Sequence, residues 1–294
     1  MPRKQSHYYT HLKKRWTKRH DKLQKSLWQK HGDSLNWLRQ SSKQLVAGSL
    51  ASIILFTNPI TAATQNLAQQ FGQNNHEVSQ QSRTVNQLVS DLKVSLPNEV
   101  EPLSPEQEQA IGHTLSEYFH MPVAAELDGK RLHRSYGIIG AEQHLTRYPG
   151  DTIETHFDTA EEARYISSGM APGRGAYGYF AESRESMTEQ DKQREKYYIA
   201  VQTFLAPGWN EDVSAYYNFF KLRKMMVVNP ENGRAIVVVI GDAGPAPFTG
   251  KHLGGSPEVM AHLERKDGGA KGPVLYFFIN DPEDKVPLGP IEIQ

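Results

Sequence analysis

Residues 225–245 read MMVVNPENGRAIVVVIGDAGP. Two apolar runs, 225–228 and 234–240, flank Asn229-Pro230-Glu231-Asn232-Gly233. An Asn-Gly pair accepts the positive φ that a chain reversal needs, so the stretch predicts a β-hairpin. Neither run alternates apolar with polar residues, as expected of strands enclosed on both faces. The same grammar recurs on either side. Asp128-Gly129 separates 123–127 from 130–136 and predicts a second, tight hairpin. Residues 197–205 form an apolar extended run ending at Pro207-Gly208, and 274–279 form the last long strand. Helical spacing over 256–265 places Val259, Met260 and Leu263 on one face behind a Ser256-Pro257 start. An earlier helix is expected from Ser104, its N-cap, with Pro105 first and Glu106 and Glu108 at the positive end, running to His120. Closing such strands into a small barrel removes their sticky edges. The expected fold class is therefore mainly β (α+β), a barrel-like domain with inserted helices.

The N-terminal third has a different composition. The chain has 294 residues, and formal charges cancel. Residues 1–44 nevertheless hold twelve of the 33 Lys and Arg but only two of the 33 acidic residues, Asp21 and Asp33, leaving an acidic remainder. From 44 to 75 no residue is charged, and 45–56 is nearly all apolar. Extended to Ala63, this segment reads as a transmembrane anchor, or as a secretory signal cut after Thr61-Ala62-Ala63. A basic tail stays cytoplasmic, so the acidic body is expected outside the cytoplasm, membrane-anchored or secreted. Trp16, Trp28 and Trp37 lie among the tail's cations, but the tail has no recognised nucleic-acid motif and no such partner is expected. Residues 64–103 are rich in Gln, Asn and Ser, and Phe71, Val78, Val85 and Leu92 recur every seven residues, with Leu88 between. A polar linker or a helical stalk fits this pattern. The folded domain is then 104–294. The absence of cysteine excludes disulfides, thiolate zinc sites and a lipidated cysteine.

The ordered combination of the 225–240 hairpin, Asp242-Ala243-Gly244-Pro245, Thr249-Gly250-Lys251 and Ser256-Pro257-Glu258 resembles the double-psi β-barrel core of the rare lipoprotein A family and its expansin relatives. The resemblance covers about forty residues closely and 130–294 loosely. It implies a double-psi-like barrel and cell-wall glycan (peptidoglycan) as the partner. Some family members are lytic transglycosylases, which need one carboxylic acid to protonate the glycosidic oxygen and then, as carboxylate, to accept a proton from the sugar. Asp242 matches the family's motif aspartate and would be that acid/base; a structural turn role for the same side chain stands beside it. Lys251 and His252 follow the motif as substrate-binding candidates. The chain departs from the family at Ala243, where Arg is usual, and at Leu253-Gly254-Gly255, where a second Asp is usual. Non-catalytic, expansin-like wall binding is the alternative.

Two clusters are further candidates. Glu142-Gln143-His144 and Glu154-Thr155-His156 each set a carboxylate and an imidazole two residues apart, which on a strand would share a face. The plainer reading is polar side chains facing solvent beside the Tyr148-Pro149-Gly150-Asp151 turn. His144 and Asp151 also stand at a spacing similar to that of zinc D-alanyl peptidases, a third reading. A zinc site needs another ligand, and the Glu-x-x-His of those enzymes is absent because Glu258 and His262 are four apart. No metal ligand set and no cofactor are assigned. Trp209, Tyr216 and Tyr217 are candidates to stack on sugar rings, with at least half of the aromatics in this region expected in the core. The Gly-rich run 169–178 lacks the spacing and the Lys-Ser/Thr ending of a phosphate loop.

Overall fold

Residues 84–265 and 271–294 are described by the computed structural model. The basic tail (1–44), the anchor or signal (45–63) and most of the proposed linker lie outside these residues. Among those described, no helix is long and apolar enough to cross a membrane.

The two hairpins form where turn chemistry placed them. Asp128 and Gly129 both take positive φ, 52° and 68°, and join β2 (Glu126–Leu127) to β3 (Lys130–Arg131) in a separate two-stranded ribbon. The larger hairpin joins β6 (Lys224–Val228) to β7 (Ala235–Ala243), with Val228 opposite Ala235. Its loop is closed by an Asx turn, in which Asn229 Oδ1 accepts from the Glu231 amide at 3.0 Å.

Six strands close a ring. β4 (Tyr136–Ala141) pairs parallel with β8 (Leu253–Gly255), and β8 pairs antiparallel with β5 (Tyr198–Val201). β5 runs parallel to β7, β7 and β6 are antiparallel, and β9 (Gly272–Ile279) pairs antiparallel with both β6 and β4. Exchanging β4, β5 and β6 for β7, β8 and β9 in order reproduces every pairing with its sense. A closed barrel with this two-fold connectivity is consistent with the double-psi arrangement. β1 (Val123–Ala124) and β10 (Gly289–Ile291) extend the sheet from β9 and β7.

The continuous apolar runs are explained by two cores. Along β7, Ile236, Val238 and Ile240 point into the barrel with Val227, Tyr276 and Phe278. The alternate residues Ala235 and Val237 point outward and are buried with Met226, Leu275 and Phe277 beneath helices. These helices are α1 (84–95) and α2 (Pro105–Phe119). Ser104 caps α2 in a reciprocal box with Gln107, and His120 ends it in the left-handed region. Leu88 and Leu92 of α1 are fully buried with Ile111, Leu115 and Phe119 of α2. Part of the segment read as a polar linker or helical stalk is thus a helix packed on α2 through its two leucines.

The expected strand 197–205 is shorter than its apolar run, because the chain turns into a 3-10 segment at Thr203–Leu205. α3 (Ile153–His156) and α4 (Glu189–Lys196) lie in the long β4–β5 connection. α5 (Val213–Phe220) precedes β6. α6 (Pro257–His262) starts at Ser256 as expected and buries Val259 and Met260.

Candidate functional site

The parallel strand pairs end side by side. In register, Asp242 stands beside Ala200, Ala200 beside Gly254, and Gly254 beside Gly140. Their neighbours Ile139, Ile199, Leu253 and Ala243 pack on the interior, a register shift between Ile199 and Ala200 setting Asp242 beside Ala200, so this row faces outward. Its small side chains leave room for others to lie across it. A Cβ on Gly254 would come within 2.2 Å of Glu142 Cγ, and one on Gly140 within 2.4 Å of Lys251 Cδ. Glu142 and Lys251 thus lie over two glycines as an ion pair, Oε1 to Nζ 2.5 Å, with Nζ also donating to the Ala141 carbonyl at 3.0 Å. Gln202, fully buried, donates to the Pro245 carbonyl and so ties the motif loop to the barrel.

Asp242 is half-buried at the edge of this row. Its Oδ1 accepts from the Ala176 amide at 2.6 Å and from the Ala243 amide at 2.8 Å. The Gly-rich run is thereby explained: a Cβ on Gly175 would approach the Gly241 carbonyl at 3.2 Å and Asp242 Oδ1 at 3.4 Å. Tyr217 holds the same loop, its hydroxyl donating to the Ala176 carbonyl at 3.3 Å. The connection 142–197 covers much of the row, with Leu145 packed on Tyr198, Ala200 and Val239.

The other expected residues are dispersed. Glu154 lies on α3 rather than on a strand, so residues two apart do not share a face: Glu154 is exposed and His156 is buried. The pairing expected of Glu142 with His144 likewise fails, since Glu142 turns to Lys251 while His144 is 1% exposed and faces inward. His252 is half-buried, its Nδ1 accepting from the Ile138 amide at 2.9 Å beside Arg134, and burial followed by the Arg134 charge lowers its pKa. Trp209 and Tyr216 are half-buried and pack on Phe220, with centroids 6.3 and 6.0 Å away. Lys130 Nζ lies 5.7 Å from the Tyr216 ring centroid. The most exposed aromatic near the motif is Phe248, 92% exposed on the turn at Pro247–Thr249, which sequence reading passed over.

A second group of polar residues lies inside. His156 Nδ1 is 2.9 Å from Asp151 Oδ2, and its Nε2 is 3.0 Å from Glu195 Oε2. His144 Nδ1 lies 3.4 Å from Glu195 Oε1, outside hydrogen-bonding geometry. Burial alone would pull His156 down, but Asp151 and Glu195 outweigh it and raise its pKa to about 9. Burial pushes Glu195 up, and the two imidazoles outweigh that, holding it at about 2. Burial raises Glu258 to about 7. His144 and Asp151, the pair singled out by spacing, have other partners: Asp151 meets His156 and His144 meets Glu195, a residue that was invisible because it lies 51 residues beyond His144 in sequence.

No protein-family model matches this chain, and no curated protein matches it. Among solved structures, it is similar to the crystal structure of cerato-platanin 3 from M. perniciosa, at 14% identity and a TM-score of 0.27 over 49% of this chain and 94% of that one. At that score the likeness carries no argument, and the fold rests on the strand pairing.

Proposed function

We propose that this protein is a wall-facing barrel module that binds cell-wall glycan without cleaving it, held at the membrane by 45–63 or released from it. The observation that carries the non-catalytic reading is the state of Asp242. A glycosidase acid must meet the scissile oxygen and exchange a proton with it. Here one oxygen of the carboxylate is occupied by two amides and holds the 173–178 loop in place. Among the described residues, the other candidate acids are engaged or directed elsewhere. Glu142 is paired with Lys251, and two strand spacings, about 10 Å, separate Asp242 from Gly254, over which Glu142 lies. Glu154 is exposed on α3.

Glycan as the ligand is supported by the Asp242-to-Glu258 resemblance and by the surface chemistry near the motif. Phe248 offers an apolar face of the kind that stacks on the C–H face of a sugar ring. Lys271 donates to the Thr249 carbonyl in the same turn. Cosedimentation of the purified protein with peptidoglycan sacculi tests the reading. Protein should appear in the pellet, and Phe248→Ala should weaken retention roughly tenfold, the scale of one lost stacking contact. Retention no greater than that of an unrelated acidic protein would remove the glycan as ligand.

A further inference from the structure

Three segments of the β4–β5 connection converge inside the domain and bring together His144, His156 on α3 and Glu195 on α4. Each is at most 2% exposed, and one ligand atom from each lies within 4.8 Å of the others. We propose that these three side chains bind a single zinc-class divalent cation, with Glu258 supplying a fourth, oxygen donor.

Three observations carry the site. Both ring nitrogens of His144 are buried without a hydrogen-bond partner, as is Glu258 Oε2. Native interiors seldom leave such atoms unpaired, and several gathered at one point call for a ligand that would complete their bonding. A cavity of about 20 Å³ is lined by His144, His156, Glu195 and Glu258, room for one ion or one water molecule. Behind the ligand imidazole, Asp151 accepts from His156 Nδ1 at 2.9 Å, the outer carboxylate that orients Nε2 toward a metal. Two imidazoles and two carboxylates suit zinc better than the oxygen-only preference of magnesium or calcium.

The site is closed, so its role is structural. The ion would tie the covering connection to α6 and hence to the barrel, with no dependence on whether the module binds glycan. The competing arrangement has no metal: a protonated His156 bridges Asp151 and Glu195 by itself.

The test uses the full chain, stripped with a chelator and dialysed against zinc. His7, His11, His20 and His31 in the tail can also take up zinc. The stoichiometric readout is therefore the loss of one equivalent in His144→Gln, measured by elemental analysis. Zinc at a hundredfold excess over Kd should raise Tm of the wild type by roughly 5–10 °C, and His144→Gln should abolish that rise. Should the variant misfold, cobalt(II) added to the stripped wild type gives an independent reading, an intense visible spectrum of a tetrahedral nitrogen–oxygen site. A wild type with no cobalt spectrum of that kind and no zinc-dependent Tm overturns the proposal in favour of the protonated bridge. Equal stoichiometry in wild type and a folded His144→Gln also overturns it.

Discussion

At position 242 a single carboxylate oxygen holds two backbone amides, one from its own strand end and one from a loop 66 residues earlier. Removing that acceptor should loosen the loop, whereas an amide side chain keeps an oxygen in the same place. Asp242→Ala is therefore expected to lose about 1–3 kcal/mol in urea denaturation, and Asp242→Asn distinctly less. Equal losses would mean that the negative charge, not the hydrogen bonding, matters at this position. A second residue-scale expectation concerns His133. Burial, reinforced by Arg134 and His252, lowers its pKa to about 4. The unfolded chain takes up a proton near pH 6.5 that the folded chain refuses until about pH 4, so this group contributes stability above pH 6.5 that is lost as pH falls through that window. His133→Gln should flatten the dependence of the urea midpoint on pH between 7 and 5. Identical slopes in the two proteins would show that His133 titrates normally.

Among elements, those set by local chemistry were legible in the sequence. Asp128-Gly129, the Asn229–Gly233 loop, Ser104-Pro105 and Ser256-Pro257 each specify their own backbone, and each appears where it was expected. What escaped depended on distant partners. Residues 84–95 sit in a Gln- and Asn-rich stretch whose few apolar residues suggested a stalk, yet Leu88 and Leu92 are buried against α2. Leu92→Ala should therefore cost about 2–5 kcal/mol, the loss that follows large-to-small substitution in a core. A mere linker would give no measurable change in the denaturation midpoint. The site was half legible for the same reason. Asp242 could be found from its motif, but its bond to Ala176, the pairing of Glu142 with Lys251 and the meeting of His144 with Glu195 all come from how the 142–197 connection folds back over β5 and β8.

For the whole molecule, the closed ring of six strands gives a rigid frame, and the two-fold connectivity brings the ends of β4 and β7 to the same outer face. In an enzyme built on that face, an unencumbered acid would be expected there. The protein instead sets small residues under an ion pair, a clamped aspartate and a covering connection, with Phe248 exposed on the adjoining turn. On the proposed reading, this face holds a polymer rather than breaking it. Product analysis decides between the two: purified sacculi are incubated with a stoichiometric amount of the full chain, and the soluble fraction is examined by mass spectrometry for anhydro-muropeptides. None above the no-protein control is the expected result. Their release by the wild type, abolished by Asp242→Asn in a protein that still folds and still sediments with sacculi, would contradict it.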